Sequence, residues 1–304
     1  MSNKITFNMF DHTIYADSFV ESNMRAGGPT YANFTKENQN MPGELRKPKL
    51  VSYTKEKNNW NGVTIFTDKV LQIAPQVKSR FKVAVMVEPR ELLPQIYDTV
   101  ITVEDEYDLI FTHEKSLLER NPNKYVFFPP DCSGIDDKSC KIHEKTKLIS
   151  MVYSDKTWMF GHRLRHIIAK DVLKSGGFDE IVDFYGTGPN NPIRFKSEGL
   201  NDYMFSIAIE NAKKEMFFCD KIMDCLITGT VPIYWGAPDI SKYFDERGIL
   251  SFNTPDELKN ILEEISEKKY KSMLKYIKKN YEICKNDYLN FDDNLAKEIK
   301  ERLL

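Results

Sequence analysis

The sequence predicts an α/β protein of two domains, each a mostly parallel sheet with helices on its faces. Three observations predict it. Short runs rich in Val, Ile, Phe and Tyr alternate with stretches at helical spacing, as expected of strands buried on both faces and joined by crossover helices. That series stops at Pro129-Pro130-Asp131, gives way to a polar run ending at Lys145, and starts again at Leu148. A length of 304 residues exceeds one average domain and suits two. The resulting boundaries are 1–146 and 147–304.

In the first half, Lys4–Phe10, Gly62–Thr67, Phe81–Val87, Leu109–Thr112 and Tyr125–Phe128 read as strands. Glu91–Val100 and Glu114–Arg120 read as helices between them. Arg25–Asn58 is polar and reads as a long surface loop. In the second half, strands are expected at Leu148–Tyr153, Ile181–Tyr185, Phe205–Ile209 and Val231–Trp235. Helices are expected at Gly161–Leu173, closed by Gly176-Gly177, and at Asp220–Thr228, with Gly229 as its C-cap. The tail from Asp256 to Leu304 is helical. It carries a stripe of Tyr270, Met273, Leu274, Ile277, Tyr281 and Cys284 beside many lysines. That pattern fits either peripheral contact with a membrane surface or, in the favoured reading, a helix packed on the protein with a solvated basic face.

Forty-three Lys and Arg against 45 Asp and Glu give a net charge of -2, which confers no general attraction to nucleic acid or anionic lipid. No run approaches the ~20 apolar residues that span a bilayer. The N-terminus lacks the apolar core of a secretion signal, and the five cysteines read as reduced thiols, so a cytoplasmic location is expected. Cys132, Cys140 and His143 lack a clear fourth ligand, so no metal site is expected.

Ligands of open α/β sheets sit beyond the carboxyl ends of the strands, and a crevice between two such domains is the default site. Three segments there carry chemistry. Gly161-His162-Arg163-Leu164-Arg165 opens a helix, where free N–H groups and an arginine suit a phosphate. Glu210-Asn211 ends a buried strand and is followed by Asp220-Lys221 at a helix start. There the carboxylate suits ribose hydroxyls and the ammonium a diphosphate. Val231–Trp235 ends in Gly236, which permits close backbone approach to a ligand.

The span Tyr203–Phe252, YMFSIAIENAKKEMFFCDKIMDCLITGTVPIYWGAPDISKYFDERGILSF, resembles the donor-binding segment of glycosyltransferase family 10, the α1,3-fucosyltransferases. That family shows F-E-N, Y-x-T-E-K and P-I-Y-W-G-x-P in the same order and at similar spacing. The resemblance extends more weakly back to about Leu148, and Val87-Glu88-Pro89 resembles the family's E-S-P region. It implies a GT-B fold of two Rossmann-like domains across a cleft. It also implies GDP-fucose as donor, a glycan acceptor, inversion of configuration, and no metal or other cofactor.

Carried onto this sequence, the resemblance places Arg165 and Lys221 on the donor phosphates, Asp220 on the ribose, and Glu210, Asn211 and Phe217 in the donor site. Arg163, Gly186 and Gly236 are lesser donor-site candidates. Phe217 stands where the family has Tyr, and Asp220 where it has Glu. An inverting transfer needs a carboxylate to deprotonate the acceptor hydroxyl. Glu88, ending the strand FKVAVMVE, is the candidate, with Asp11 and Asp17 next in line. No Asp-x-Asp metal grip follows a strand. Two alternatives stay open: the same mechanism with another GDP- or UDP-linked sugar, and a non-catalytic sugar- or nucleotide-binding protein.

Overall fold

A computed structural model describes residues 4–10, 48–54, 59–174, 176–178 and 180–304, and the statements that follow concern these residues. They divide into two compact units. Residues up to Cys132 together with Asn290–Leu304 form the first, and Ser133–Leu289 the second.

The first unit holds β1 (Ile5–Phe10), β2 (Val51–Thr54), β3 (Trp60–Thr67), β4 (Ser79–Val85), α1 (Pro94–Thr102), β5 (Leu109–Thr112), α2 (Lys115–Arg120) and β6 (Tyr125–Phe127). All pairs are parallel, in the order β2-β1-β3-β4-β5-β6. Alternate residues of one strand serve opposite faces. Val83 and Val85 enter one core with Ile65 and Phe111, while Ala84 and Met86 enter another with Tyr97 and Leu117. Both faces are therefore apolar, which is why these strands read as continuous hydrophobic runs. β2 corrects the reading of Arg25–Asn58 as loop throughout: Val51 and Tyr53 are buried and the strand pairs with β1. The rest of that segment up to 47, and residues 55–58, lie outside the described residues, as do Asp11 and Asp17.

The second unit holds β7 (Lys147–Val152), α3 (Phe160–Ile167), β8 (Val182–Tyr185), β9 (Tyr203–Ile209), α4 (Asp220–Thr228), β10 (Val231–Trp235), β11 (Leu250–Ser251), α5 (Pro255–Glu264) and α6 (Glu267–Asp287). Its sheet is also parallel, in the order β11-β10-β9-β7-β8. β9 and β10 are buried along their whole length, at the centre of the sheet. α3 passes into a π-helical turn at Ile168–Lys174 instead of continuing as α-helix to Leu173. Gly229 caps α4 with φ of 74°, a left-handed conformation that glycine adopts without steric cost.

The stripe expected on the tail is real but is turned inward. Tyr270, Met273, Ile277 and Cys284 of α6 are buried, so this face is not available to a lipid surface. The polar run after Pro130 is also anchored more firmly than a linker. Ser133, Gly134 and Ile135 are buried, and Asp224 of α4 accepts from Ser133 Oγ at 2.9 Å and Gly134 N at 2.6 Å.

α7 (Phe291–Leu303) departs from the expected division at 146/147, because it packs on the first unit. Phe291, Leu295, Ala296 and Ile299 enter the core beneath β1, β3, β4 and β5. Asp293 in its first turn accepts from Lys49 N at 2.9 Å and Leu50 N at 2.8 Å, just ahead of β2, and Tyr53 donates to Asp292 at 3.0 Å. The helix thus completes the first sheet although it lies last in the sequence.

Candidate active site

The carboxyl end of β9 gathers most of the residues that the sequence singles out in the second unit. Gly161 brings the start of α3 against this strand end. A Cβ there would lie 1.8 Å from Glu210 O, and Gly161 N donates to Asn211 O at 3.0 Å. That contact carries Arg165 inward. Its Nε and Nη2 donate to Ile209 O at 3.0 and 2.6 Å, and Nη2 also donates to Asn211 Oδ1 at 2.8 Å. Arg165 is 6% exposed. Its Nη1 has no hydrogen-bond partner among the described residues.

Glu210 is fully buried. It accepts from Cys219 N at 3.0 Å and Cys219 Sγ at 2.7 Å, and Lys221 Nζ stands 3.8 Å from the same carboxylate. Lys221 pairs with Asp220 at 2.8 Å, and Lys196 reaches both Asp220 and Asp224. Burial alone would raise the Asp220 carboxyl, but Lys196 and Lys221 outweigh it and hold it well below the usual carboxylate range. Burial opposes the charge on Lys221, and Asp220 prevails, so that its ammonium titrates well above the ordinary lysine range. Within this ionic cluster at the helix start, Asp220 and Lys221 therefore keep their charges at neutral pH, whereas burial raises the Glu210 and Asp224 carboxyls above the usual carboxylate range.

His162 sits beside this cluster, 6% exposed, and Met159 N donates to its Nδ1 at 3.2 Å. Burial, with the nearby cations Arg165 and Lys221, pushes it down to about 4. It is a neutral imidazole near pH 7.

The other candidates divide. A Cβ on Gly236 would lie 2.1 Å from Tyr234 Oη and 2.6 Å from Glu210 Cγ, so this glycine permits the turn after β10 to fold over Glu210. Gly186, with φ of 107°, would place a Cβ 2.2 Å from Tyr153 O, and it pairs with Asn191. It serves the exit of β8. Arg163 is exposed and donates to Thr157 O and Trp158 O at 3.0 and 3.2 Å, bracing the approach to α3. Glu210 and Phe217, expected at the donor, are 0% and 2% exposed. Glu210 is turned to its own chain because Cys219 and Lys221 need an acceptor there.

Lys196 and Asp224 were not legible as site residues. Lys196 follows a loop with no motif of its own. Asp224 carried a usable signal, since it stands four residues after Asp220 on the same helical face.

In the first unit Glu88 lies just beyond β4 and is half-buried. Its carboxylate makes no hydrogen bond or ion pair among the described residues. Asp68, Tyr97 and His113 surround its backbone. None of the three is suggested by the sequence reading, because they come from separate elements.

Solved structures with this architecture define the class. A crystal structure of an α1,3-fucosyltransferase with GDP aligns with a TM-score of 0.53 at 15% identity, covering 96% of this chain and 94% of that one. The crystal structure of TarM aligns at 0.50 with 12% identity over 80% of this chain and 55% of that one. The fold is that of a GT-B glycosyltransferase.

The chain belongs to glycosyltransferase family 10 (fucosyltransferase), whose C-terminal domain model matches residues 142–296, just over half of its length. It is 35% identical over 78 residues to the α-(1,3)-fucosyltransferase FucT of Helicobacter pylori, covering 26% of this chain and 16% of that protein. It is 25% identical over 211 residues to the GDP-fucose protein O-fucosyltransferase 3 of Danio rerio, covering 69% of this chain and 42% of that protein. It thus spans less than half the length of either relative.

Proposed function

We propose that this chain transfers a sugar, L-fucose from GDP-fucose, to a hydroxyl of a glycan acceptor, with inversion at the anomeric carbon and without a metal ion. The observation that carries the reading is the meeting of Arg165, Asn211, Asp220 and Lys221 at the end of β9, inside the stretch that matches the family. Arg165 keeps Nη1 for a phosphate oxygen while its other nitrogens fix the strand end. Lys221 supplies a second cation. Asp220, whose side chain is 20% exposed, accepts from a ribose hydroxyl with a remaining lone pair. Glu210 and Phe217 act behind these groups as support.

In the reaction, Glu88 takes the proton of the acceptor hydroxyl. The freed oxygen bonds to the anomeric carbon as the bond from that carbon to the phosphate oxygen breaks. GDP leaves with the electron pair. Arg165 and Lys221 favour the transition state because the charge they meet grows as that bond opens. Two fixed cations take the part that a metal plays at an Asp-x-Asp site. Five free cysteines accord with a reducing, cytoplasmic setting, and no helix among the described residues is long and apolar enough to cross a membrane.

The similarity to the protein O-fucosyltransferase over 211 residues favours a second reading of the acceptor, a hydroxyl on a protein. Calorimetric titration with GDP, UDP and CDP in EDTA tests the donor site. GDP is expected to bind most tightly. Lack of binding by all three near millimolar concentration would remove the assignment, and a preference for UDP would redirect it to another donor.

A further inference from the structure

Val87 and Glu88 leave the sheet at the end of β4. Backbone that leaves a ladder must find new partners for its N–H and C=O groups when it stays partly buried. Here side chains meet all four groups of the dipeptide. Asp68 accepts from Val87 N at 2.8 Å and from Glu88 N at 3.4 Å. His113 Nε2 donates to Val87 O at 3.2 Å, since a carbonyl only accepts. Tyr97 Oη donates to Glu88 O at 2.6 Å. Asp68, Tyr97 and His113 are fully buried.

The three residues arrive from separate elements. Asp68 follows β3 and His113 follows β5, the two neighbours of β4 in the sheet. Tyr97 comes from α1, with the Arg90 guanidinium 4.5 Å over its ring. Asp68 also has φ of 37°, a left-handed conformation that costs a non-glycine residue energy and persists only where its surroundings impose it. A buried carboxylate held in such a backbone is an expensive way to secure an ordinary loop. The Glu88 carboxylate, by contrast, is left without a partner among the described residues. Its backbone is fixed at every polar atom and its side chain is open.

We propose that Asp68, Tyr97 and His113 are positioning residues that aim the Glu88 carboxylate for proton abstraction. The inference rests on reading Glu88 as the base. With the backbone immobile, the carboxylate is placed by its side-chain torsions alone, and misplacement by ~1 Å is enough to slow a reaction by about a hundredfold.

The test uses the full chain with GDP-fucose, following GDP release with water as acceptor and GDP affinity by calorimetry. Tyr97→Phe removes one hydroxyl and keeps the ring. It is expected to lower turnover by about tenfold and to leave GDP affinity unchanged. Added to Glu88→Gln, it is expected to cause no further loss. Asp68→Asn should behave likewise with a larger effect, and Tyr97→Phe keeps the test decisive where Asp68→Asn fails to fold. Parental turnover by Tyr97→Phe overturns the positioning role while leaving Glu88 as base. An equal fractional loss in the Glu88→Gln background overturns it too, by showing a merely structural role. Parental turnover by Glu88→Gln, or no GDP release by the parent chain, instead overturns the reading of the base on which the inference rests.

Discussion

Two glutamates stand beyond the carboxyl ends of parallel strands in this molecule, one in each unit, and they are held in opposite ways. At Glu210 the side chain is enclosed. Its carboxylate receives Cys219 N and Sγ and faces Lys221, and nothing of it reaches solvent. At Glu88 the backbone is enclosed by Asp68, Tyr97 and His113, and the carboxylate is unpartnered among the described residues. The same residue type at the same topological place thus supports structure in one unit and is available for chemistry in the other. What decides is the set of side chains brought to it from elsewhere in the chain.

The largest expected effect breaks this comparison directly. Glu88→Gln should lower transfer by about a hundredfold or more, with thermal stability and GDP affinity unchanged, since the carboxylate makes no hydrogen bond or ion pair among the described residues. Glu210→Gln should do the reverse. It should destabilise the fold by about 1–3 kcal/mol through Lys221 and Cys219, as measured by denaturant unfolding, and weaken GDP binding in calorimetry. If the two variants behave alike, the contrast drawn from their surroundings is wrong.

Next in size are the cations. Lys221→Ala and Arg165→Ala should each lower turnover by about ten- to a hundredfold, because each charge meets one that grows in the transition state. They should part in stability. Arg165→Ala also leaves Ile209 O and Asn211 Oδ1 without their donor, at a cost of about 1–3 kcal/mol. Parental turnover by both would place these residues outside the reaction.

The smallest effect concerns His162. The unfolded chain takes up this proton near pH ~6.5, whereas the folded protein resists until about 4. Between these values the unfolded state binds more protons, so stability contributed by the neutral ring is complete above about pH 6.5 and declines as pH falls toward 4. His162→Asn removes the titration and keeps an acceptor near the position of Nδ1. The decline across that window should be shallower in melting curves of the variant, and an unchanged slope would show that His162 titrates normally.

Much of the fold was legible because both sheets are buried on both faces. Runs such as LIFT and VPIYW have no polar interruption, and the strands Leu109–Thr112 and Val231–Trp235 fall where the runs do. β2 was not legible, because only Val51 and Tyr53 of its four residues point inward. The ionic cluster was half legible. Arg165, Asn211 and Asp220-Lys221 stood in recognisable segments, whereas Lys196 is joined to Asp220 and Asp224 only by the fold. The partners of Glu88 were invisible for the same reason. Asp68, Tyr97 and His113 lie 20, 9 and 25 positions away from it and share no pattern.

The return of α7 to the first unit has a consequence for biosynthesis. A ribosome delivers the first unit as far as Cys132, then Ser133–Leu289 of the second, and only then Phe291, Leu295, Ala296 and Ile299. The second unit can close while its chain is still growing. The first cannot, because one face of its sheet waits uncovered until its last helix emerges. Until then that face, lined by Phe7, Val63, Ile65 and Val85, is a hydrophobic surface exposed to whatever else is in the cell. Maturation of the half that carries Glu88 therefore follows synthesis of the second unit, even though its strands are made before it.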